Sequence, residues 1–496
     1  MPWRFYGRQN ELQDLRRIFS RKQWFFLKVE GRRRIGKSSL IMRATPEERA
    51  PTTFYMQVPD SNPGGVLTRF REAALTFDLA RTFPDAREVV SPRNLLEMAQ
   101  AIEMLLRHGW MVILDEFQYF NRKALFAFNS YLQESIDRLN QSSEAILGGL
   151  VVLGSLHTEM SALLEDKRAP LYARTTSVAY VDHLSPFAIG EILQDQGAYS
   201  PERFLFLWSL FEGVPKFYRD AYEQGVLHES RTKLLHGLFF SSTAPLRVEA
   251  ENWFLAELRG RYNAVLQALA QSPMSDHGTL LQLASAGSGE DSTEQIASYL
   301  KTLIEKYRLV QRVLPVFSRP RSRGARYRIS DNFLTAWLGA LQANVHAIDY
   351  RPVEQLLANA DERLCKLEGY AFERLVSGFL KERSRLGIGD LPVSRAIEGY
   401  WNKEKIEIDL ILLDDESKTI RFGSCKRNEE KLLKDIGNFS NHVNRFLAEP
   451  RAKEFSSWRR EYLLFCPRAT EVARHFKLPD ACFRVLDIDD LLRQRA

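Results

Sequence analysis

Five short apolar runs punctuate the first 185 residues: Trp24 to Glu30, Thr53 to Val58, Met111 to Leu114, Gly149 to Leu153 and Val178 to Val181. Each reads as a strand. Leu95 to Leu106, between the second and third, has helical spacing. Short apolar strands alternating with helical segments predict a parallel sheet covered on both faces. This unit closes near Leu184-Ser-Pro-Phe187.

From Pro186 to about Leu246 the pattern turns helical and aromatic-rich, and between Arg261 and Ala340 it changes again. Ser292-Thr-Glu-Gln295 reads as a capping box that opens a helix through Ile304. Two apolar-basic segments follow, Leu309 to Phe317 and Arg326 to Ile329, flanking the basic stretch from Ser318 to Ala325. Helices followed by a two-stranded basic hairpin predict a winged helix-turn-helix. An ordinary helical subdomain with a solvated loop is the alternative. The last unit starts near Asp361. It reads as a helix from Glu368 to Leu380, then strands at Lys405 to Leu413, Thr419 to Lys426, Glu461 to Phe465 and Phe483 to Leu486, then a terminal helix. There is no internal repeat and no low-complexity tract. The fold class expected is α/β and multidomain.

Composition narrows this only a little. The 496 residues make room for about three domains. Hydrophobic residues at 45% and charged residues at 27% suit a globular chain with a sizeable core. A net charge of +6 is compatible with a nucleic-acid partner without requiring one. Cys365, Cys425, Cys466 and Cys482 are scattered without a CxxC pair, which excludes a zinc cluster or a disulfide framework and reads as free thiols in a reducing cytosol. The start, Met1-Pro-Trp-Arg, lacks the apolar core of a signal peptide, and the longest uncharged apolar stretch, Ile146 to Leu156, is too short to span a bilayer. A soluble cytoplasmic protein is expected.

Two motifs carry chemistry. Gly31-Arg-Arg-Arg-Ile-Gly36-Lys37-Ser38 matches G-x-x-x-x-G-K-[ST] at every fixed position, with a strand before it and a helix after it. The glycines let backbone N–H groups face phosphates, and the helix offers its positive N-terminus to them. Lys37 is expected to reach the β/γ-phosphates and Ser38 to place its hydroxyl on Mg²⁺. Arg34 and Ser39 are counted with Gly31, Gly36, Lys37 and Ser38 in the nucleotide-binding set. Arg32, Arg33 and Arg34 are open to being solvated or to facing DNA. The second motif is Met111-Val-Ile-Leu-Asp115-Glu116, an apolar strand ending in two carboxylates. Asp115 would hold Mg²⁺ and Glu116 would orient or deprotonate the attacking water. Ser155, after the next apolar strand, is placed to sense the γ-phosphate. Arg174 is either an arginine finger, which a neighbouring subunit would supply, or one half of a surface ion pair. Gly213-Val-Pro215-Lys216 reads as a turn touching nucleotide in a helical lid.

These residues resemble the archaeal-type P-loop ATPases of the STAND and AAA-like branch. The resemblance rests on Phe5-Tyr-Gly7-Arg8-x-x-Glu11-Leu12, the GRRRIGKSS loop, VILDEFQ, the LGS strand end, APLYAR, LSPF and GVPKFY, which cover roughly residues 1–220 in the family's order. It implies a winged helix next, ending in a segment like Tyr327-Arg-Ile-Ser-Asp331-Asn-Phe333-Leu-x-x-Trp337, which this chain has. Ala173 and Glu212-Gly213 depart from the family, which often has Gly and Gly-Gly there. The implied domains are an ATPase core at 1–185, a helical lid at 186–258, a winged helix-turn-helix at 259–345 and a last domain at 361–496.

That last domain resembles the restriction-endonuclease-like, PD-(D/E)XK, domain often fused to these ATPases. The family pattern of a helix Glu, a strand Asp and E-x-K on the next strand maps onto Glu373, Asp409 and Lys426, with Ser424 where a carboxylate is usual. Glu373 and Asp409 could hold one Mg²⁺, with Glu407 on the same face of the strand as Asp409. Lys426 could position the attacking water. The resemblance implies a switch that binds and hydrolyses ATP and acts on DNA through a nuclease-like effector, in genome defence or mobile-element control. The alternatives are a nucleotide-dependent DNA-binding regulator with an inactive nuclease fold, and a signalling ATPase whose winged helix contacts protein. The cofactors implied are ATP and Mg²⁺, and the partners DNA and, through Arg174, further copies of the chain.

Overall fold

The computed structural model describes residues 3–84, 87–155, 157–249, 251, 262–288, 293–322, 324–395, 397–403, 405–475 and 483–493. Two compact units emerge, Arg8–His183 and Leu184–Ala496 with Met1–Gly7. Ser292 of the expected capping box, Arg323 of the basic stretch, Cys482 and the expected joint at 258/259 lie outside the described residues.

The first unit is built on β1 (Phe25–Gly31), β2 (Thr53–Gln57), β3 (Met111–Asp115), β4 (Gly149–Gly154) and β5 (Ser177–Val181). Their order is β2-β3-β4-β1-β5 and every pairing is parallel. β1, β3 and β4 are buried along their whole length, as uniformly apolar runs require in a sheet covered on both faces. Phe26, Phe54, Val112, Leu114, Leu150 and Val152 form the core with the helix Leu95–Arg107, which Asn94 caps by accepting from the Glu97 N–H at 2.9 Å. In-register pairing brings the carboxyl ends of β1, β4 and β3 to one edge of the sheet. There Gly31, Gly154 and Asp115 begin the site loops. Gly31 is required for packing as well: a Cβ there would fall 2.3 Å from the Val181 carbonyl oxygen.

In the second unit the helices Pro186–Asp195, Pro201–Phe211 and Pro215–Glu223 each open on proline, whose fixed φ and missing N–H suit the first helical position. Three helices follow, Tyr262–Gln271, His277–Ser288 and Thr293–Glu305. They precede an antiparallel hairpin of β7 (Val310–Val313) and β8 (Arg326–Ile329), to which the two-residue β6 (Ser275–Asp276) adds in the order β6-β8-β7. This is the expected order of helices and basic hairpin.

The C-terminal sheet has the order β13-β12-β11-β10-β9, where β9 is Glu398–Trp401, β10 Glu407–Asp414, β11 Thr419–Cys425, β12 Arg459–Phe465 and β13 Phe483–Leu486. β9, β10 and β11 form an antiparallel meander. The helix Glu429–Leu447 then crosses over so that β12 joins β11 in parallel, followed by β13. Phe422, Ile436, Val443, Phe446 and Leu464 fill the core beneath that helix. The expected helix from Glu368 to Leu380 is the middle of a longer one, Val353–Arg385, so the expected domain start at Asp361 falls inside a continuous helix. Pro352 stands at the N-cap of that helix. No described helix is long and apolar enough to cross a membrane.

Candidate functional site

The phosphate loop begins where β1 ends. Arg34 and Gly36 both take left-handed backbone conformations, φ 64° and 90°, turning the loop into the helix Lys37–Ala44. Lys37 is buried and donates from Nζ to the carbonyls of Gly31 and Arg32, 3.0 Å each. Burial lowers its pKa to about 8, although Glu116 and Asp115 pull the other way. Ser39, one position along, is exposed.

Asp115 is the hub. Its Oδ2 accepts from the Ser38 hydroxyl and from the Tyr55 phenol at 2.9 Å, and its Oδ1 accepts from the Glu116 N–H at 2.9 Å. A hydroxyl and a carboxylate converging on one another are hard oxygen donors of the kind Mg²⁺ takes, so Ser38 and Asp115 fit that ion. Glu116, at φ 56°, accepts at Oε2 from the Ser155 hydroxyl at 3.2 Å and from the Gln118 amide. The ends of β3 and β4 are thereby tied together at the paired carboxylates.

Three residues that pattern reading passed over belong to this site. Tyr55 sits on β2, in register with Ile113 of β3, where an aromatic residue gives no signal distinct from core. Burial and the Asp115 charge push its phenol pKa up, so it remains a neutral donor. Gln118, two residues beyond Glu116, closes the VILDEFQ motif without a role read for it there. Arg8, quoted only as part of a motif, is buried and donates from Nη2 to the carbonyls of Ile35 at 2.9 Å and Asp182 at 2.8 Å, bracing the phosphate loop from behind.

Arg174 is held inside its own unit. Its Nε and Nη2 each lie 2.9 Å from an oxygen of Asp137, and its Nη1 donates to the Pro170 carbonyl at 2.8 Å. This favours the ion pair over the arginine finger. In the second unit, Pro215 opens a helix and Lys216 pairs with Asp220. Glu212, at φ 50°, accepts from the Asn332 N–H at 2.9 Å and from Arg374, whose Nη1 also donates to Asn332 Oδ1 at 2.6 Å.

The C-terminal set also comes together. Asp409 Oδ2 accepts from the Cys425 N–H at 2.8 Å and lies 3.3 Å from both Lys426 Nζ and Ser424 Oγ. Lys426 bridges onward to Asp435 at 3.2 Å. Glu373, on the long helix, is pushed well above the usual carboxylate range by desolvation and then by the Asp409 charge. Asp409 is raised as well, by desolvation, with Lys426 opposing. Glu373 and Asp409 are hard oxygen donors of the kind a divalent cation takes, while Ser424 offers a hydroxyl in place of a third carboxylate. Five residues earlier on the helix, Glu368 is buried between Arg231, at Oε1, and Arg427, at Oε2 2.5 Å away.

Known proteins match parts of this chain. A family described as archaeal and bacterial proteins of unknown function, DUF234, matches residues 337–436, a span that includes Glu373, Asp409 and Lys426. An uncharacterized protein of Methanocaldococcus jannaschii is 24% identical over 447 residues, covering 87% of this chain and 91% of its own length. In structure the chain is similar to the Walker-type ATPase of Pyrococcus abyssi, with a TM-score of 0.51 and 16% identity over 67% of this chain and 96% of that one. A looser likeness, TM-score 0.44 and 14% identity, is to the ORC2 protein of Aeropyrum pernix in its ADPNP–ADP complexes, over 73% of this chain and 95% of that one. The fold is that of a P-loop ATPase joined to a separate mixed-sheet domain. From here the two sites are called the P-loop site and the C-terminal site.

Proposed function

We propose that this chain binds and hydrolyses ATP at the P-loop site and uses the nucleotide state to control an action on DNA, with the C-terminal domain as effector. The observation that carries the reading is the convergence of Ser38, Asp115, Glu116 and Ser155 beside Lys37. Lys37 would meet the β/γ-phosphates, leaving the Gly31 and Arg32 carbonyls it now serves. Ser38 and Asp115 would hold Mg²⁺, which neutralises charge on the phosphates during transfer. Glu116 would align the attacking water and take its proton, with Ser155 and Gln118 fixing the carboxylate. A role for Arg174 in a neighbouring subunit's site would require it to leave Asp137.

The three helices and basic hairpin support a winged helix-turn-helix as the DNA-contacting element. Arg319 and Arg321 on its loop are exposed and offer phosphate contacts. At the C-terminal site, Glu373 and Asp409 would hold one cation and Lys426 would position water for phosphodiester hydrolysis. A second reading, a regulatory ATPase with an inactivated nuclease fold, is favoured by Ser424, which gives a hydroxyl where a third hard carboxylate would strengthen the metal site.

Cleavage of linear, supercoiled and single-stranded DNA with Mg²⁺ or Mn²⁺, with and without ATP, separates the two. Cleavage that a Lys426→Ala variant lacks supports the nuclease. DNA binding without strand breaks supports the regulator. Absence of salt-sensitive DNA binding would overturn the DNA reading in both forms.

A further inference from the structure

The basic hairpin is fastened into the C-terminal domain. The Val316 N–H donates to the Gly399 carbonyl at 2.9 Å, and Val316 is part of that domain's core. Phe317 lies 5.2 Å from the Phe455 ring. The Trp401 indole N–H donates to the Gly324 carbonyl at 2.8 Å. The loop between β7 and β8 is thus held to the C-terminal domain near both of its ends.

Arg326 and Arg328 occupy alternate positions on β8 and so share a face. Arg326 Nη1 donates to Glu407 Oε1 at 2.6 Å, and its guanidinium sits 4.8 Å from the centre of the Trp401 ring. Arg328 lines one pocket with Tyr370, Glu373 and Arg374. Burial and the nearby Arg374 charge lower its pKa to about 10, with Glu212 and Glu373 opposing. Arg326 thus meets Glu407 directly, while Arg328, whose Nε donates to Gln311 Oε1 at 3.0 Å, shares its pocket with Glu373.

We propose that Arg326 and Arg328 belong to the C-terminal site as DNA-positioning residues: they neutralise Glu407 and Glu373 until DNA arrives, then transfer to its phosphates and leave the carboxylates free for a divalent cation. The proposal rests on the reading that DNA is the partner. Guanidinium exchanges readily between carboxylate and phosphate, since its planar fork matches both. The exchange couples the two ligands. DNA that draws the arginines away strengthens cation binding, and by reciprocity a cation strengthens DNA binding. It also gives a chain lacking the third carboxylate at Ser424 a way to hold a cation only when a phosphate backbone is in place.

Two readouts on the full chain test this: affinity for a short fluorescent duplex across a salt series, and Mn²⁺ binding followed by electron paramagnetic resonance without nucleotide or DNA. Glu407→Gln, isosteric and on an exposed residue, frees Arg326 and should tighten duplex binding. Arg326→Ala should weaken it and reduce the salt slope by about one. Arg328→Ala should tighten Mn²⁺ binding without DNA by about fivefold or more, an effect lost when Asp409→Asn is added. Arg328→Lys, which keeps the charge, should leave Mn²⁺ binding near wild type. Unchanged duplex affinity in Glu407→Gln, or unchanged Mn²⁺ affinity in Arg328→Ala, overturns the proposal. If the wild-type chain binds no duplex, the DNA reading itself fails. The Mn²⁺ titration of Arg328→Ala then decides separately whether the hairpin neutralises the carboxylates.

Discussion

The hydroxyl of Ser38 donates to Oδ2 of Asp115, 77 residues further along the chain. The contact joins the phosphate loop to the paired-carboxylate strand and puts an alcohol and a carboxylate where one small hard cation would touch both. Tyr55 completes the arrangement from the neighbouring strand.

Tyr55→Phe removes one hydrogen bond to an ionised carboxylate, an interaction worth about 1.5–3 kcal/mol. Asp115 then keeps its contacts with Ser38 and the Glu116 N–H but loses the one from the neighbouring strand, while the phosphate loop is untouched. Half-saturation by Mg²⁺ in ATP turnover is expected to rise about tenfold, with nucleotide affinity in EDTA unchanged. Equal Mg²⁺ dependence in variant and wild type would leave Tyr55 a core residue only.

Nucleotide affinity should depend on pH through Lys37. Its pKa in the free chain is lowered to about 8 by burial, and a polyphosphate would raise it again. Below about pH 8 the amine is already charged and affinity is flat. Above it, binding must take up a proton, so affinity should fall by up to about tenfold per pH unit. The same depression acts on stability. The full penalty of burying the charged amine is present below about pH 8 and is relieved as pH rises toward the unfolded value of 10.5. Calorimetric titration in buffers of different ionisation enthalpy would read the proton uptake directly. No uptake at pH 9 would contradict the assignment.

Arg374 ties Glu212 to Asn332 in a largely buried junction, its side chain 19% exposed against 7% for Glu212. Truncating one partner of such a pair leaves the other buried without compensation, at a cost of about 3–5 kcal/mol. Arg374→Ala is expected to lower the melting temperature markedly. Glu212→Gln with Arg374→Met should recover part of the loss. A melting temperature unmoved by Arg374→Ala would show the junction to be dispensable.

Asp409→Asn and Lys426→Ala should abolish any DNA cleavage while ATP binding stays within about twofold of wild type, because both residues belong to the second compact unit and those of the P-loop site to the first. Cleavage persisting in both variants would remove the C-terminal site from the chemistry.

Much of this was legible in the sequence, for identifiable reasons. β1, β3 and β4 follow the apolar runs within a residue because strands buried on both faces carry an uninterrupted signal. The P-loop motif and the paired carboxylates are short-range patterns that fix their own geometry. β9 was missed because Glu398-Gly-Tyr-Trp401 shows no clean alternation, and the polar first half of the helix Val353–Arg385 hid its true length. The contacts of Glu212 with Arg374 and of Arg326 with Glu407 span 162 and 81 residues, and a tertiary pairing at that distance leaves no local trace in either segment. Arg174 had two readings that sequence could not separate, and Asp137, 37 residues away, favours one of them.

ATP turnover by the full chain with Mg²⁺, measured beside nucleotide binding for Lys37→Ala and Glu116→Gln, tests the central claim most directly. Wild type should hydrolyse ATP, and Lys37→Ala should lose both binding and turnover. Glu116→Gln should bind nucleotide as wild type does and turn over about a hundredfold more slowly or less. A Glu116→Gln variant that hydrolyses ATP at the wild-type rate, or a wild-type chain that binds no nucleotide, would contradict it.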